Sequence, residues 1–244
     1  MGFIVAIDGP AGAGKSTVAK RVATELECTY LDTGAMYRSI ALVAQRQGIS
    51  PIDEASLVSL ARITRISFSP LTPDGFQRVE VNSEEVTAEI RTPEVSQLTS
   101  KISSIGLVRE VVLEQQRRIA YEAPAGVVLE GRDIGTVVFP YADLKIFLTA
   151  GEEERARRRY EELKAQGMDI SFLAALEDQR ERDRRDSERE VAPLRPAEDS
   201  VTVVTDGLTV SEVVERILSL CRERLALREQ KHQSNQIERK DLLA

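Results

Sequence analysis

Residues 3–17 read FIVAIDGPAGAGKST, and no other stretch of the chain narrows its possible folds so far. GPAGAGKS at 9–16 satisfies the pattern G-x-x-x-x-G-K-[ST] without substitution, directly after an apolar run and directly before a helical one. Strand, glycine-rich loop, helix is the context that turns this pattern into a phosphate cradle. Its glycines let backbone N–H groups aim at phosphate oxygens, and a helix starting near Lys15 adds its positive end. Gly9, Pro10, Ala11, Gly12, Ala13, Gly14, Lys15, Ser16 and Thr17 are therefore candidate ligands of a nucleoside triphosphate. Lys15 is expected to reach the β- and γ-phosphates, and the Ser16 hydroxyl to ligate Mg2+.

A loop of this kind belongs in an α/β sheet, and the rest of the sequence supplies one. FIVAI (3–7), TYL (29–31), VVL (127–129), LKIFL (144–148) and VTVV (201–204) read as five buried parallel strands separated by helical patterns. Residues 15–26 form the first helix, with Val18, Val22 and Leu26 on one face. TVSE at 209–212 is a capping box ahead of an amphipathic helix over 211–221. Residues 63–90 break the rhythm: ITRISFS, the turn PLTPDG and FQRVEVN suggest a small antiparallel sheet inserted into the core. Residues 151–189 are arginine-rich and helical in pattern, interrupted by Gly167. From 226 onward the chain is polar, and frayed helix or disorder is expected. The 244 residues, 42% hydrophobic, suffice for one sizeable core with mobile appendages.

Charge and rare residues remove several classes. Thirty-three basic against 40 acidic side chains give a net charge of −7, unlike a general nucleic-acid binder, so any anion site must be local. No apolar run is long enough to span a bilayer, and the N-terminal pattern is not that of a signal peptide. Cys28 and Cys221 lie far apart in sequence and suggest neither a disulfide nor a zinc framework, which points to the reducing cytoplasm. His232 is the one histidine and sits in the polar tail, which argues against histidine acid–base or metal chemistry.

A phosphoryl-transfer enzyme must also hold a second anion in line with the first. LDTGAMYR at 31–38 follows a strand parallel to the first and so emerges at the same carboxyl edge, where open α/β sheets bind ligands. There Thr33 is placed to cap the next helix, Gly34 to let a ligand approach, and Arg38 to grip a phosphate bidentately. In EGRDIGT (130–136), Glu130 ends a core strand while Arg132 and Asp133 emerge at the same edge; a local ion pair is the plainer alternative. RERDRRDSER (180–189) sets Arg182, Asp186 and Arg189 at i, i+4 and i+7, although charge pattern alone equally describes a solvated helix. EEERARRRY (152–160) places Arg155, Arg158 and Arg159 on one face, with internal Glu–Arg pairing as the alternative.

GPAGAGKST, LDTGAMYR, EIRTPEVS (89–96), EGRDIGTVVFP (130–140) and RERDRRDSEREVAPL (180–194) occur in this order, and together they resemble the bacterial cytidylate kinases from about residue 3 to 225. The resemblance implies one P-loop nucleotide-kinase domain, an α/β fold with helices on both faces of a five-stranded parallel sheet. Its core would comprise 1–32, 106–150 and 190–225. Residues 33–105 would be the monophosphate-binding region with its β insert, 151–189 a mobile helical lid, and 226–244 a tail beyond the family pattern. It also implies Mg2+-dependent transfer from ATP to CMP and dCMP. Thr33, Tyr37, Arg38, Arg132 and Arg189 would surround the acceptor phosphate. Ser100, Arg109 and Asp133 would read the base, and Arg182 and Asp186 the sugar. Lys15, Arg132, Arg158 and Arg189 would act on the transferring group. The expected partners are small nucleotides, with no nucleic acid or membrane, for a cytoplasmic monomer. Two alternatives stay open: a kinase of small alcohols using Asp133 as base, and a GTP-dependent switch, although the guanine-reading pattern [NT]-K-x-D is missing from the sequence.

Overall fold

The computed structural model describes residues 2–165 and 167–241, with side chains up to residue 230. The five apolar runs form one parallel sheet of β1 (Phe3–Asp8), β2 (Thr29–Asp32), β6 (Gly126–Gly131), β7 (Leu144–Thr149) and β8 (Val201–Val204). Their order across the sheet is β2-β6-β1-β7-β8. Alternation along each strand sorts side chains between two helical layers. Ile4 and Ala6 of β1, Leu31 of β2, and Val127 and Leu129 of β6 face one layer. Phe3, Val5, Ile7, Tyr30 and Val128 face the other.

The first layer holds α2 (Thr33–Arg46), α3 (Glu54–Ile63), α4 (Pro93–Ile102) and α5 (Gly106–Glu122). The second holds α1 (Lys15–Glu25) and α8 (Val210–Asp241). Leu31 and Leu129 are wholly buried. Truncating either to Ala removes about 2–5 kcal/mol, so these strands cannot drift from their places. Cys28 and Cys221, remote in sequence, pack into the second layer as free thiols, and burial pushes Cys221 up to about 12.

The inserted sheet is present as β3 (Ile66–Phe68), β4 (Val79–Val81) and β5 (Glu84–Glu85), all antiparallel. Gln77 ties it to the core by donating to the Tyr30 carbonyl at 3.1 Å, and Lys20 of α1 donates to Gly75 O at 2.8 Å. The arginine-rich segment forms α6 (Glu152–Ala165) and α7 (Phe172–Glu188), with Gly167 at φ 79 between them.

Three local expectations need correction. Thr33 does not cap α2: Asp32 does, its carboxylate accepting from Ala35 N at 2.8 Å, because Asp32 ends β2 in an extended conformation. Arg189 does not share a face of α7 with Arg182 and Asp186, since the helix stops at Glu188 and Arg189 turns off it at ψ 139. The last helix is not confined to 211–221. The Thr209–Glu212 capping box forms as expected, with Thr209 N donating to Glu212 Oε2 at 2.8 Å and Glu212 N to Thr209 Oγ1 at 3.3 Å. The helix then continues to Asp241 through polar sequence that carries no apolar stripe. Residues 242–244 of the expected tail lie outside the described residues.

Candidate active site

Parallel register brings three loops to one edge. Asp8 pairs with Gly131, and Asp32 with Glu130, so the turns after β1, β6 and β2 leave the sheet side by side. The β1 turn is the phosphate loop. Gly9 sits at φ 151, and a Cβ there would lie 1.9 Å from Leu148 O, so only glycine can pass β7 at this point. Lys15 opens α1 with its Nζ donating to Pro10 O at 2.7 Å. The ammonium is buried, and burial together with the Arg132 guanidinium pulls it down to about 7.

Arg132, at the end of β6, donates through Nε to Asp186 Oδ2 of α7 at 2.7 Å. Burial disfavours its charge, but Asp186 more than offsets this and raises it. Arg182, one turn earlier on α7, is pulled down to about 10 by burial and then by the neighbouring Arg132, Arg38 and Arg159. Four guanidinium groups and an ammonium thus converge on one space from α1, α2, β6, α6 and α7. Asp32 and Asp186 offset part of this charge, and an anion bound among these groups would offset more. Arg38 donates Nη2 to Asp32 Oδ2 at 2.7 Å, while its buried Nε has no hydrogen-bond partner among the described residues. Arg189 Nη2 is a second buried donor without one, 3.6 Å from Asp133 Oδ1. Each is a donor that a ligand oxygen can satisfy.

A second cluster lies beside the first. Arg109 Nη2 donates to Asp133 Oδ2, Arg109 Nη1 donates to Ser103 O at 2.9 Å, and the Arg109 guanidinium stacks 5.5 Å above the Tyr37 ring. Burial pushes the Tyr37 hydroxyl up to about 12. Arg189 feels Arg109, Asp133, Asp186 and Tyr37 together, so it stands where the two clusters meet. Thr33 donates to Glu130 O at 2.6 Å, which fixes it between β2 and β6. The Tyr30 hydroxyl donates to Glu130 Oε1 at 2.7 Å.

The two arginine-rich helices lie directly on the phosphate loop. A Cβ on Gly12, at φ 73, would meet Arg155 O at 2.9 Å. Arg155 is buried, donating to Ala150 O at 2.9 Å, to Ala11 O at 3.3 Å and to Asp183. Gln179 donates to the same Ala11 carbonyl at 3.1 Å. Arg158 is spread over Glu154, Gly12 O at 3.4 Å and Thr205. Arg159 is near enough to Arg182 for its charge to help lower that guanidinium.

The expected residues therefore assemble, with two qualifications. Ser100 is hydrogen-bonded to Arg185 Nη1 at 2.6 Å and not to the Asp133 cluster, and Arg158 faces the loop backbone and Thr205, just past β8. Sequence reasoning missed Asp8, Asp32, Gln179, Asp183 and Arg185, and it placed Arg155 on a shared helix face without foreseeing its seat on the phosphate loop. Only Asp32 left a readable signal, as an Asp followed three residues later by the first amide that a helix cap would serve.

A family model described as Cytidylate kinase matches residues 5–223. A cytidylate kinase of Geobacter sulfurreducens is 52% identical over 91% of this chain and 94% of its own length. One from Syntrophotalea carbinolica is 48% identical over 91% of this chain and 93% of its own. A bifunctional pantoate ligase/cytidylate kinase of Synechocystis is 51% identical over 89% of this chain, which spans only 42% of that longer protein.

Proposed function

This chain belongs to the cytidylate kinase family, and from that premise we propose that it transfers the γ-phosphoryl group of ATP to CMP and dCMP, giving ADP with CDP or dCDP. The observation that carries this reading is that the elements bearing Lys15, Arg38 and Arg132 leave the sheet at one edge, where Asp32 holds Arg38 and Asp186 of α7 holds Arg132. Asp133 and Arg109 close the acceptor end.

The phosphate loop, residues 9–17, holds the triphosphate through backbone amides and Lys15. Arg38, Arg132 and Arg189 hold the acceptor phosphate, with Thr33 and Tyr37 beside it. Asp133 accepts from the exocyclic amine of cytosine, as carboxylates do from cytosine N4. Arg109 orients Asp133, and Ser100 joins the base end by exchanging its bond from Arg185 for one to the nucleotide. Arg182 and Asp186 meet the sugar. The attacking phosphate oxygen has a second pKa of about 6, so it is largely ionised at neutral pH and needs no general base. What remains is positioning and neutralisation of charge on the transferring group. Lys15, Arg132 and Arg189 supply that charge, with Arg158 of α6 bracing the triphosphate end and Arg159 standing nearer the transferring group. A magnesium ion bound mainly through phosphate oxygens needs one or two protein oxygens, and the exposed Ser16 hydroxyl on the first turn of α1 fits that need; it would draw charge from the β- and γ-phosphates. Residues 33–105 serve as the monophosphate-binding region and 151–189 as a lid that excludes water when both nucleotides are bound.

The partners in this reading are small nucleotides, and the protein acts as a cytoplasmic monomer. Among the described residues no helix is long and apolar enough to cross a membrane. The test is coupled ADP release with CMP, dCMP, UMP, AMP and shikimate offered separately. Fastest turnover with CMP and dCMP is expected; preference for shikimate, or stimulation by none, overturns the reading.

A further inference from the structure

Asp8 is the last residue of β1 and stands directly before Gly9, where the phosphate loop begins. Its carboxylate is buried, and each oxygen accepts one backbone amide from the acceptor loop. Ile134 N donates to Oδ1 at 2.7 Å and Gly135 N donates to Oδ2 at 2.7 Å. These amides open a π-helical turn, Ile134–Val138, which receives no side-chain cap from Asp133 at its start. From the other side, the Asp133 carbonyl accepts Val137 N at 2.9 Å and Val138 N at 3.2 Å. The path of 132–135 is thus fixed between Asp8 and the turn, and with it the exit directions of Arg132 and Asp133. The fit is close: a Cβ on Gly135 would lie 3.4 Å from Asp8 Oδ2 and 3.1 Å from Lys145 Cδ.

We propose that Asp8 is a positioning residue that locks the donor and acceptor half-sites together, one buried carboxylate at the root of the phosphate loop dictating where the Arg132–Asp133 turn stands. The inference rests on the phosphotransfer reading above. Hydrogen bonds between strands set the spacing of β1 and β6 only as far as their last paired residues; beyond them, Asp8 continues the join. The charged groups around it are Lys15 from α1, Asp133 from the loop itself, and Lys145 of β7, whose Nζ is already engaged by Pro140 O and Asp199. Burial raises Asp8 to about 6, and the two amides and Lys15 oppose that rise. Two N–H donors aimed at one carboxylate favour its ionised form.

Asp8→Asn keeps the shape but sets an amide N–H against a backbone N–H. For a folded variant with near-wild-type far-ultraviolet circular dichroism, we expect kcat to fall about 10–100-fold, the scale of a small misplacement of reacting groups. KM for CMP should rise, while the dissociation constant of a fluorescent ATP analogue should stay within about threefold, because a uniform binding term is not what Asp8 supplies. Unchanged kcat and KM for CMP, or an equal loss of ATP affinity, overturns the proposal. Should the variant fail to fold, the wild-type protein carries the test. In a pH titration followed by amide NMR, Ile134 and Gly135 should shift together with a midpoint near the Asp8 value of about 6, while Val127 and Val128 in the middle of β6 stay still. Amides that do not titrate overturn it. Failure of wild-type CMP turnover would instead sink the phosphotransfer reading and leave this spectroscopic result standing.

Discussion

Arg109 and Asp133 form an ion pair at 2.5 Å with only 8% of either side chain exposed. A buried pair of this kind is sensitive to how it is broken. Asp133→Asn keeps a hydrogen-bond acceptor for Arg109 but loses the charge that favours a cytosine amine. Its kcat/KM for CMP should fall about 10–100-fold, the equivalent of about 1–3 kcal/mol of base discrimination. UMP should be affected far less. Parallel assays with CMP and UMP check this, and a uniform loss with both would remove Asp133 from base reading. Asp133→Ala leaves Arg109 buried and uncompensated, and denaturant unfolding should show a loss of about 3–5 kcal/mol.

Lys15 offers a test that needs no turnover. At pH 8 an ammonium held at about 7 is mostly neutral in the free protein. A bound triphosphate restores its charge and raises its pKa, so binding must take up a proton. Calorimetry in two buffers of different ionisation enthalpy should report uptake approaching one proton at pH 8 and much less at pH 6. Lys15→Arg, charged throughout, should show none.

Arg38 uses one nitrogen on Asp32 and keeps another buried and, among the described residues, unpaired. Lysine cannot copy that fork. Arg38→Lys should therefore raise KM for CMP about tenfold or more, about 1.4 kcal/mol or above, with KM for ATP nearly unchanged. A rise confined to ATP would place Arg38 on the wrong nucleotide.

Arg158 and Arg159 are neighbours with different surroundings. Arg158 braces Gly12 and Thr205, whereas the charge of Arg159 reaches Arg182 and helps lower that guanidinium. Arg158→Ala should act mainly on KM for ATP, and Arg159→Ala mainly on kcat, by about 10-fold or more for a group that acts on the transferring charge. Steady-state kinetics of the two variants decide between them; the reverse pattern would restore Arg158 as the residue acting on the phosphoryl group.

How much of this was legible beforehand follows from the range of each interaction. The phosphate loop, the five strands and the Thr209–Glu212 cap are local patterns, and they stand where the sequence puts them. Asp32 took the capping role assigned to Thr33 because the competition between adjacent residues turns on a single ψ angle. The seating of Arg155 on the phosphate loop, and the parts of Gln179 and Asp183, could not be read in advance. Their partner Ala11 lies 144 and 168 residues away from the first two, and a helix dense in arginine and glutamate looks the same whether it is solvated or seated on a loop. Asp8 was hidden for another reason: as the final residue of an apolar strand it looks like a simple boundary. The continuation of α8 past residue 221 was left open between frayed helix and disorder because a polar helix offers no periodic stripe to detect.

The pairing of Asp8 with Gly131 and of Asp32 with Glu130 makes the sheet a ruler for the chemistry performed at its rim. Its graduations are single residues of about 3.3 Å, comparable to the gap a phosphoryl group must cross. One residue inserted into β6 would therefore misplace the acceptor by a whole graduation and turn Glu130 to the opposite face. Changes to the antiparallel insert, which hangs outside this scale, leave the crossing distance untouched.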